Sequence, residues 1–341
     1  MTDAYKVTEL CDSHISCVLC RHLRVPGYLF GAHGVVERVV GEFPNPEMVA
    51  FDVLSDARSP LYRVRFTQAS LWKGMERPYD GPDDDTIDVE VYENWLEANS
   101  GDRAPGDADV PNPKRAKTNG AGHTHDHEYD HEHLSRAEVE QKAVDDEGEP
   151  APGQQFAEAV VKLILDKGIV SATELRETIE RTESYGTKME GPRIVARAWT
   201  DPEFKKSLLE DANAAVASMG IAPGRPHAST KLVVLENTPA VHNFVVCTLC
   251  SCYPRSILGM SPGWYKSRSY RSRAVMEPRK LLADLGLTLK EGVAVRVHDS
   301  TADCRYMILP LRPEGTDAYS EEDLQKLVTR DSLIGVSVPH I

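Results

Sequence analysis

Long apolar runs are missing from this 341-residue chain. No stretch approaches the roughly 18 residues that a membrane-spanning helix needs, which argues against such a helix. Met1-Thr2-Asp3-Ala4-Tyr5-Lys6 has no signal-peptide pattern, so the expected location is the cytoplasm. A basic surplus is missing too. The chain has 39 Lys and Arg against 53 Asp and Glu, a net charge of −14. That balance argues against nucleic acid or an anionic membrane as the main partner. Cysteines are few and odd in number, seven in all, and they cluster rather than spread. Metal or redox chemistry is therefore expected ahead of a disulfide framework. The remainder is ordinary for a soluble globular protein, at 41% hydrophobic and 27% charged. The length allows about two domains, each with its own core.

One stretch concentrates the chemistry: Val245-Val246-Cys247-Thr248-Leu249-Cys250-Ser251-Cys252-Tyr253-Pro254. Its cysteines fall at i, i+3 and i+5. A continuous helix cannot place all three on one face, because i and i+5 lie about 140° apart. A strand sends i+3 and i+5 to the side opposite i. The three sulfurs converge only if the backbone folds into a tight claw, which would also aim the Ser251 and Cys252 amides inward.

Residues 1–98 read as mostly β. Val35–Val40, Leu61–Phe66 and Ile87–Tyr92 are strand candidates, the last two alternating apolar and polar as half-buried strands do. Gly34, Pro44, Pro60 and Gly81-Pro82 punctuate them. Short strands at this spacing predict a small β-barrel, SH3-like. Ahead of them, Cys11, His14, Cys17, Cys20 and His22 make either a small zinc site or a short helix with packed cysteines.

Residues 99–152 are too poor in apolar side chains to offset the entropy of ordering, and read as a disordered acidic linker. Five histidines in it, His123, His125, His127, His131 and His133, could collect a secondary divalent metal or simply be solvated.

From 153 to 341 the expected domain is α/β with a helical lead-in. Phe156, Val160, Val161, Leu163 and Ile164 form a helical stripe. Ser171–Glu174 is a capping box. Thr200-Asp201-Pro202 starts a helix whose apolar face runs through Phe204, Leu208, Ala212, Ala215 and Met219 to a stop at Gly220. Strands are expected at Lys231–Leu235, Asn243–Val246, Val293–Val297 and Tyr306–Leu309, with a last helix from Ser320 through Leu327. The fold class is thus α+β.

The claw has three chemical readings. Zinc would need a fourth side chain such as His242 or Cys304. A Cys247–Cys250 or Cys250–Cys252 disulfide is a second, although Tyr253-Pro254 does not continue the helix that a redox CxxC normally opens. The third is a transition metal held by three thiolates and deprotonated amides, which suits a trivalent low-spin ion and leaves an open position for chemistry. Thiolates beside such a centre can be oxidised to sulfenic and sulfinic acid, whose oxygens call for arginines.

Val246–Pro254 resembles the metal motif of the nitrile hydratase and thiocyanate hydrolase family. The likeness extends through Trp264–Ser267, Tyr270–Arg273, Glu277-Pro278-Arg279, Arg305-Tyr306, Arg312–Thr316 and Val328–Asp331, and upstream through Ala196–Phe204. This half resembles the metal-carrying α subunit, called γ in thiocyanate hydrolase. His22–Tyr28, Gly34-Val35-Val36, Leu61–Phe66, Leu71-Trp72 and Tyr92–Glu97 resemble the C-terminal, barrel-forming half of the family's β subunit. The chain thus resembles a fusion of that half with an α subunit.

The resemblance implies Co(III), or alternatively Fe(III), bound by Cys247, Cys250, Ser251 and Cys252, with Cys250 as sulfinic and Cys252 as sulfenic acid. Thr248 is the residue type of the cobalt branch. Arg24, with Arg21 second, matches one of two β-subunit arginines that grip the oxidised sulfurs. The other belongs to the helical N-terminal half of the β subunit, so a separate chain resembling that half, and an oligomer, are the implied partners. Gly27 and Phe30 stand where arginines are common. Arg255 stands where nitrile hydratases commonly have Trp, and there the chain is like thiocyanate hydrolases; Pro226–Ser229 replaces an acidic or amide loop. Both points favour thiocyanate slightly over organic nitriles as the small C≡N substrate, with Cys252, Cys250, Arg24 and Arg255 as catalytic candidates. A nitrile hydratase making amides is the close alternative. A non-catalytic metal-binding or storage protein, motivated by the histidine tract, is the alternative of a different class.

Overall fold

The computed structural model describes residues 4–7, 25–44, 58–75, 78–98, 152–171, 173–175, 178, 189–222, 230–249, 252–301 and 303–341. The amino-terminal cysteine cluster, the histidine tract and the 226–229 loop lie outside these residues.

Five strands come from the first 98 residues: β1 (Ala4–Val7), β2 (His33–Pro44), β3 (Arg58–Thr67), β4 (Thr86–Tyr92) and β5 (Leu96–Ala98). A one-turn helix, α1 (Gln68–Leu71), follows β3. Strands β2, β3 and β4 form an antiparallel meander, and β1 lies between β2 and β5. The expected barrel does not form. Strand β4 pairs in parallel with β8 (Ala294–Asp299), which pairs with β7 (Val241–Val246), in the order β5-β1-β2-β3-β4-β8-β7. A barrel closes only when its first and last strands bond to one another. Here β5 and β7 are the two ends of one open sheet of seven strands, and the edge that β4 would present is covered by a strand from the other half of the chain.

Strand β4 is also more buried than its sequence pattern implies. Its alternating pattern predicts one wet face, yet every residue from Thr86 to Tyr92 is buried. The polar face is covered, and its charges are paired. Arg65 donates from Nε and Nη2 to Asp88 at 2.8 and 2.7 Å. Arg63 donates from Nε to Glu90 Oε1 at 3.2 Å and from Nη2 to the Tyr306 hydroxyl at 3.1 Å. The second oxygen of Glu90 has no hydrogen-bond partner. Burial pushes the Glu90 carboxyl up to about 7, against the downward pull of Arg63. An unfolded glutamate titrates near 4.3. Between these values the folded chain holds a proton that the unfolded chain has released, so stability falls as pH rises through that window. We expect the urea midpoint to drop between pH 4.5 and 7.5 by an amount worth on the order of 2 kcal/mol. Glu90→Gln, which stays neutral, should flatten that slope; an unchanged slope would contradict the assignment.

The C-terminal half begins with α2 (Pro152–Asp166). Its expected apolar stripe is split: Val160 and Ile164 are half-buried, while Phe156, Val161 and Leu163 are exposed, Phe156 at 72%. Ser171 and Glu174 cap each other reciprocally. Helices α3 (Gly191–Thr200), α4 (Pro202–Glu210) and α5 (Ala212–Ser218) follow. The single helix expected from 202 to Gly220 is two. Asp201 caps α4 by accepting from the Glu203 and Phe204 amides, and Asp211 interrupts the run by accepting from Ala214 N at 3.1 Å. A second sheet pairs β6 (Lys231–Glu236) in parallel with β9 (Cys304–Leu309). Between β7 and β8 lie α6 (Arg255–Leu258), α7 (Gly263–Lys266), α8 (Arg268–Met276) and α9 (Pro278–Asp284). The chain ends with α10 (Glu321–Leu327) and a further short helix, α11 (Arg330–Ile334), that the sequence pattern did not lead us to expect. Gly335 caps α11 at φ 92°; a Cβ there would meet the Asn243 carbonyl and, at 2.7 Å, Phe244 Cα. Among the described residues no helix is long and apolar enough to cross a membrane.

Candidate metal centre

Strand β7 delivers the claw. It has no wet face: His242 to Val246 are buried without a break, as in a parallel strand covered on both sides. Its end is tied to β8 by Ser300 N donating to Val246 O at 2.7 Å. Cys247 follows at once and is fully buried; Cys252 is 6% exposed. Among the described residues neither forms a disulfide. Cys250, Ser251 and Arg24 lie outside the described residues, as does Arg21. Among the described residues no group of three or more His, Cys, Asp or Glu side chains could hold a metal.

The loop after Cys247 is held at both ends. At the first, Asp299, the last residue of β8, accepts Thr248 N at 2.8 Å through Oδ1 and the Thr248 hydroxyl at 2.5 Å through Oδ2. The Tyr28 hydroxyl donates to the same Oδ2 at 2.8 Å. Arg271 Nη1 donates to Thr248 O at 3.3 Å. At the second, Tyr265 donates to Cys252 O at 2.9 Å; Tyr270 donates to Val245 O, two residues ahead of Cys247, at 2.7 Å. Trp264 meets Tyr265 and Tyr270 edge-on, Tyr265 and Tyr270 are tilted against each other, and Tyr253 meets the Tyr265 ring edge-on at 5.2 Å. This makes an aromatic cluster beside the loop, with Tyr265 near both cysteines. Burial raises the Tyr265 phenol well above its ordinary range, and Tyr270, Cys247 and Cys252 push it further in the same direction. Tyr28 is raised by burial, then by Asp299 and Cys247. Both phenols therefore remain neutral hydrogen-bond donors.

The side chains considered for completing a zinc site are differently employed. His242 Nε2 bonds Gly335 O at 2.7 Å, and its Nδ1 faces Asn237 Nδ2 at 3.3 Å, so both ring nitrogens are engaged within the core. Burial lowers its pKa, in keeping with a neutral ring. Cys304 opens β9 in the second sheet, where burial pushes its thiol up and Glu90 and Arg63 are its charged surroundings. Arg255 opens α6, three residues past Cys252. Its Nε and Nη2 point at the Met260 thioether, a weak acceptor. Among the described residues no carboxylate pairs with it. Asp299 and Tyr28 were not anticipated as site residues. Asp299 lies two residues past the expected end of its strand. Tyr28 sits in the His22–Tyr28 run, whose arginine drew attention instead.

Comparison with known proteins settles the lineage. Residues 152–337, more than half of the chain, match the family model described as nitrile hydratase, alpha chain. The chain belongs to the nitrile hydratase family. Residues 14–98 match the model described as nitrile hydratase beta subunit, C-terminal, so this family member joins segments of both subunits in one polypeptide. The low-molecular-weight cobalt-containing nitrile hydratase subunit alpha of Rhodococcus rhodochrous is 50% identical over 181 residues, which are 53% of this chain and 86% of the relative. The thiocyanate hydrolase subunit gamma of Thiobacillus thioparus is 46% identical over 189 residues, 53% of this chain and 77% of the relative. Among solved structures, a double histidine-to-tryptophan mutant of the iron-type nitrile hydratase from Comamonas testosteroni Ni1 aligns with TM-score 0.50 and 42% identity, covering 56% of this chain and 92% of that one.

Proposed function

We propose that this nitrile hydratase family chain hydrates a C≡N triple bond at a non-corrin Co(III) centre, with thiocyanate slightly preferred over organic nitriles. The observation that carries this reading is the Cys247–Cys252 loop itself. It buries two thiols close to Tyr265, in the half of the chain that the alpha-chain model matches. Thiolates are the soft donors that cobalt or iron takes. Cys247, Cys250, Ser251 and Cys252 would hold the ion, with Fe(III) the alternative. When bound, it supplies Lewis acidity toward the C≡N group or a water.

The remaining work belongs to the chain. Cys252, carrying one added oxygen, acts as nucleophile or base, and Cys250 carries two. Arg24 binds those oxygens through charge-assisted hydrogen bonds. For a nitrile, water's oxygen goes to carbon and its protons to nitrogen, giving the amide. Thiocyanate and two waters give carbonyl sulfide, ammonia and hydroxide. Arg255 supports the preference for an anion, because its guanidinium beside the claw meets a thioether instead of a carboxylate. The nitrile reading stays close, supported by the 50% identity to a nitrile hydratase α subunit. A separate chain like the helical N-terminal half of the β subunit completes the site in this proposal.

Metal analysis and intact mass of protein from its native host, followed by thiocyanate and acrylonitrile assays, test the reading. About one cobalt per chain, the mass of three added oxygens and turnover of either compound are expected. Zinc with unmodified cysteines would overturn it. Metal uptake that disappears when residues 123–133 are deleted, without turnover, would favour storage instead.

A further inference from the structure

We propose that Tyr28 is a positioning residue, supplied by the N-terminal segment, that sets the first turn of the claw through Asp299. This rests on the claw being the metal centre. Asp299 Oδ2 takes two hydroxyl donors, Thr248 Oγ1 at 2.5 Å and Tyr28 at 2.8 Å, while Oδ1 takes the Thr248 amide at 2.8 Å. Thr248 directly follows Cys247. Clamping its amide and hydroxyl to one carboxylate fixes the peptide between the two residues, and with it the direction of the Cys247 side chain. The carboxylate in turn is oriented by what it accepts.

Tyr28 is itself held for this task. It sits in the 3-10 turn Gly27–Leu29, and its ring lies 5.5 Å from that of Trp72 at an interplanar angle of 34°. Trp72 is anchored across the chain, donating from Nε1 to Val275 O at 2.9 Å and to Gln68 Oε1 at 2.7 Å. The phenol therefore reaches Asp299 from a rigid base that already touches helix α8 of the C-terminal half. Tyr28 and Asp299 stand 271 residues apart in sequence. The consequence is that the β-like segment of this chain shapes the thiolate geometry as well as covering the claw.

A comparison between two phenols separates positioning from plain stabilisation. Tyr92 also makes a phenol–carboxylate bond across the two halves, to Asp303 Oδ2 at 2.9 Å, a different carboxylate from the one that holds Thr248. Tyr28→Phe and Tyr92→Phe should lower the thermal midpoint of the full-length protein alike. Only Tyr28→Phe should shift the thiolate-to-metal absorption band of the holoprotein, and it should weaken cobalt binding by about 10-fold or more. In metal-free protein, Tyr28→Phe alone should change the rate at which Cys247 is alkylated by iodoacetamide, read by peptide mass. Should Tyr28→Phe fail to fold, Asp299→Asn, which leaves Tyr28 on Trp72, must produce the band shift. Equal spectra, equal cobalt binding and equal alkylation in the two phenylalanine variants would overturn the proposal while leaving a cobalt-loaded wild type, and the functional reading, intact. A wild type that takes up neither cobalt nor iron would sink the functional reading, and the alkylation rates would still decide the role of Tyr28.

Discussion

Replacing Cys252 by alanine should strip the protein of its metal and of its activity while leaving the fold in place. The substitution removes one sulfur and nothing else. The backbone at 252 is held by Tyr265 donating to the carbonyl at 2.9 Å, and that bond does not involve the side chain. Cys252 is buried, so losing its sulfur costs on the order of 1 kcal/mol of packing. The catalytic cost is far larger. A metal acting as Lewis acid contributes several kcal/mol to the transition state, and each 1.36 kcal/mol is tenfold in rate. We therefore expect turnover of thiocyanate or acrylonitrile to fall by at least about 10³-fold, with cobalt down to a small fraction of one per chain. Cys304→Ala is the matched control, since Cys304 is an equally buried thiol placed beside Glu90 and Arg63. It should lose a similar amount of stability and keep both metal and activity. Full metal content in Cys252→Ala would show that the ion is held elsewhere.

The contrast between these two cysteines also shows what a reader of the sequence can and cannot see. The crowding of Cys247, Cys250 and Cys252 stands out locally, whatever folds around it. So do period-two strands and helix caps: Asp201 caps α4 just where Thr200-Asp201-Pro202 places a helix start. Asp211 was equally local, but the continuous apolar face through Leu208 and Ala212 outweighed it, and the break went unread. What fails is anything decided by a partner far along the chain. The alternation in β4 correctly marks a strand, but it cannot say that Arg65 will pair with Asp88, or that Arg63 will bridge Glu90 to Tyr306, with both carboxylates buried. The barrel expectation fails for the same reason. Closure depends on which strand β4 pairs with, and Asp88 pairs with His298, 210 positions away. The supports of the claw are non-local in the same way: Asp299 holds Thr248 from 51 positions away, and Tyr28 reaches Asp299 from 271 positions away.

Replacing Asp85 by alanine should be the most damaging single change to the joint between the two halves. Its carboxylate is fully buried. It receives Arg279 through two bonds, Nε to Oδ2 at 2.6 Å and Nη2 to Oδ1 at 2.7 Å, together with the Val295 amide at 2.6 Å and the Tyr79 hydroxyl. Alanine leaves the guanidinium and a buried backbone N–H without their acceptor. Breaking a buried pair from one side costs about 3–5 kcal/mol, because the remaining charge is stranded. Arg279 is partly relieved by its bond to Val293 O and by its exposure, which places the expectation near the lower end. The urea midpoint should fall by roughly 1–2 M. Asp85→Asn should recover little, since its amide N–H groups would face the donors of Arg279. The nearby Lys280–Asp80 pair, 2.8 Å apart and mostly exposed, is the control: Lys280→Ala should cost under about 1 kcal/mol. Position explains why the effect should reach the claw. Asp85 precedes Thr86, which pairs with Arg296 at one end of the β4–β8 ladder; Val89 pairs with Asp299 at the other. Loosening the first end frees the strand that carries Asp299, so cobalt binding should weaken in Asp85→Ala under conditions where Lys280→Ala binds normally. A urea midpoint unchanged from wild type would mean that the two halves are held together by the rest of the sheet, without help from this pair.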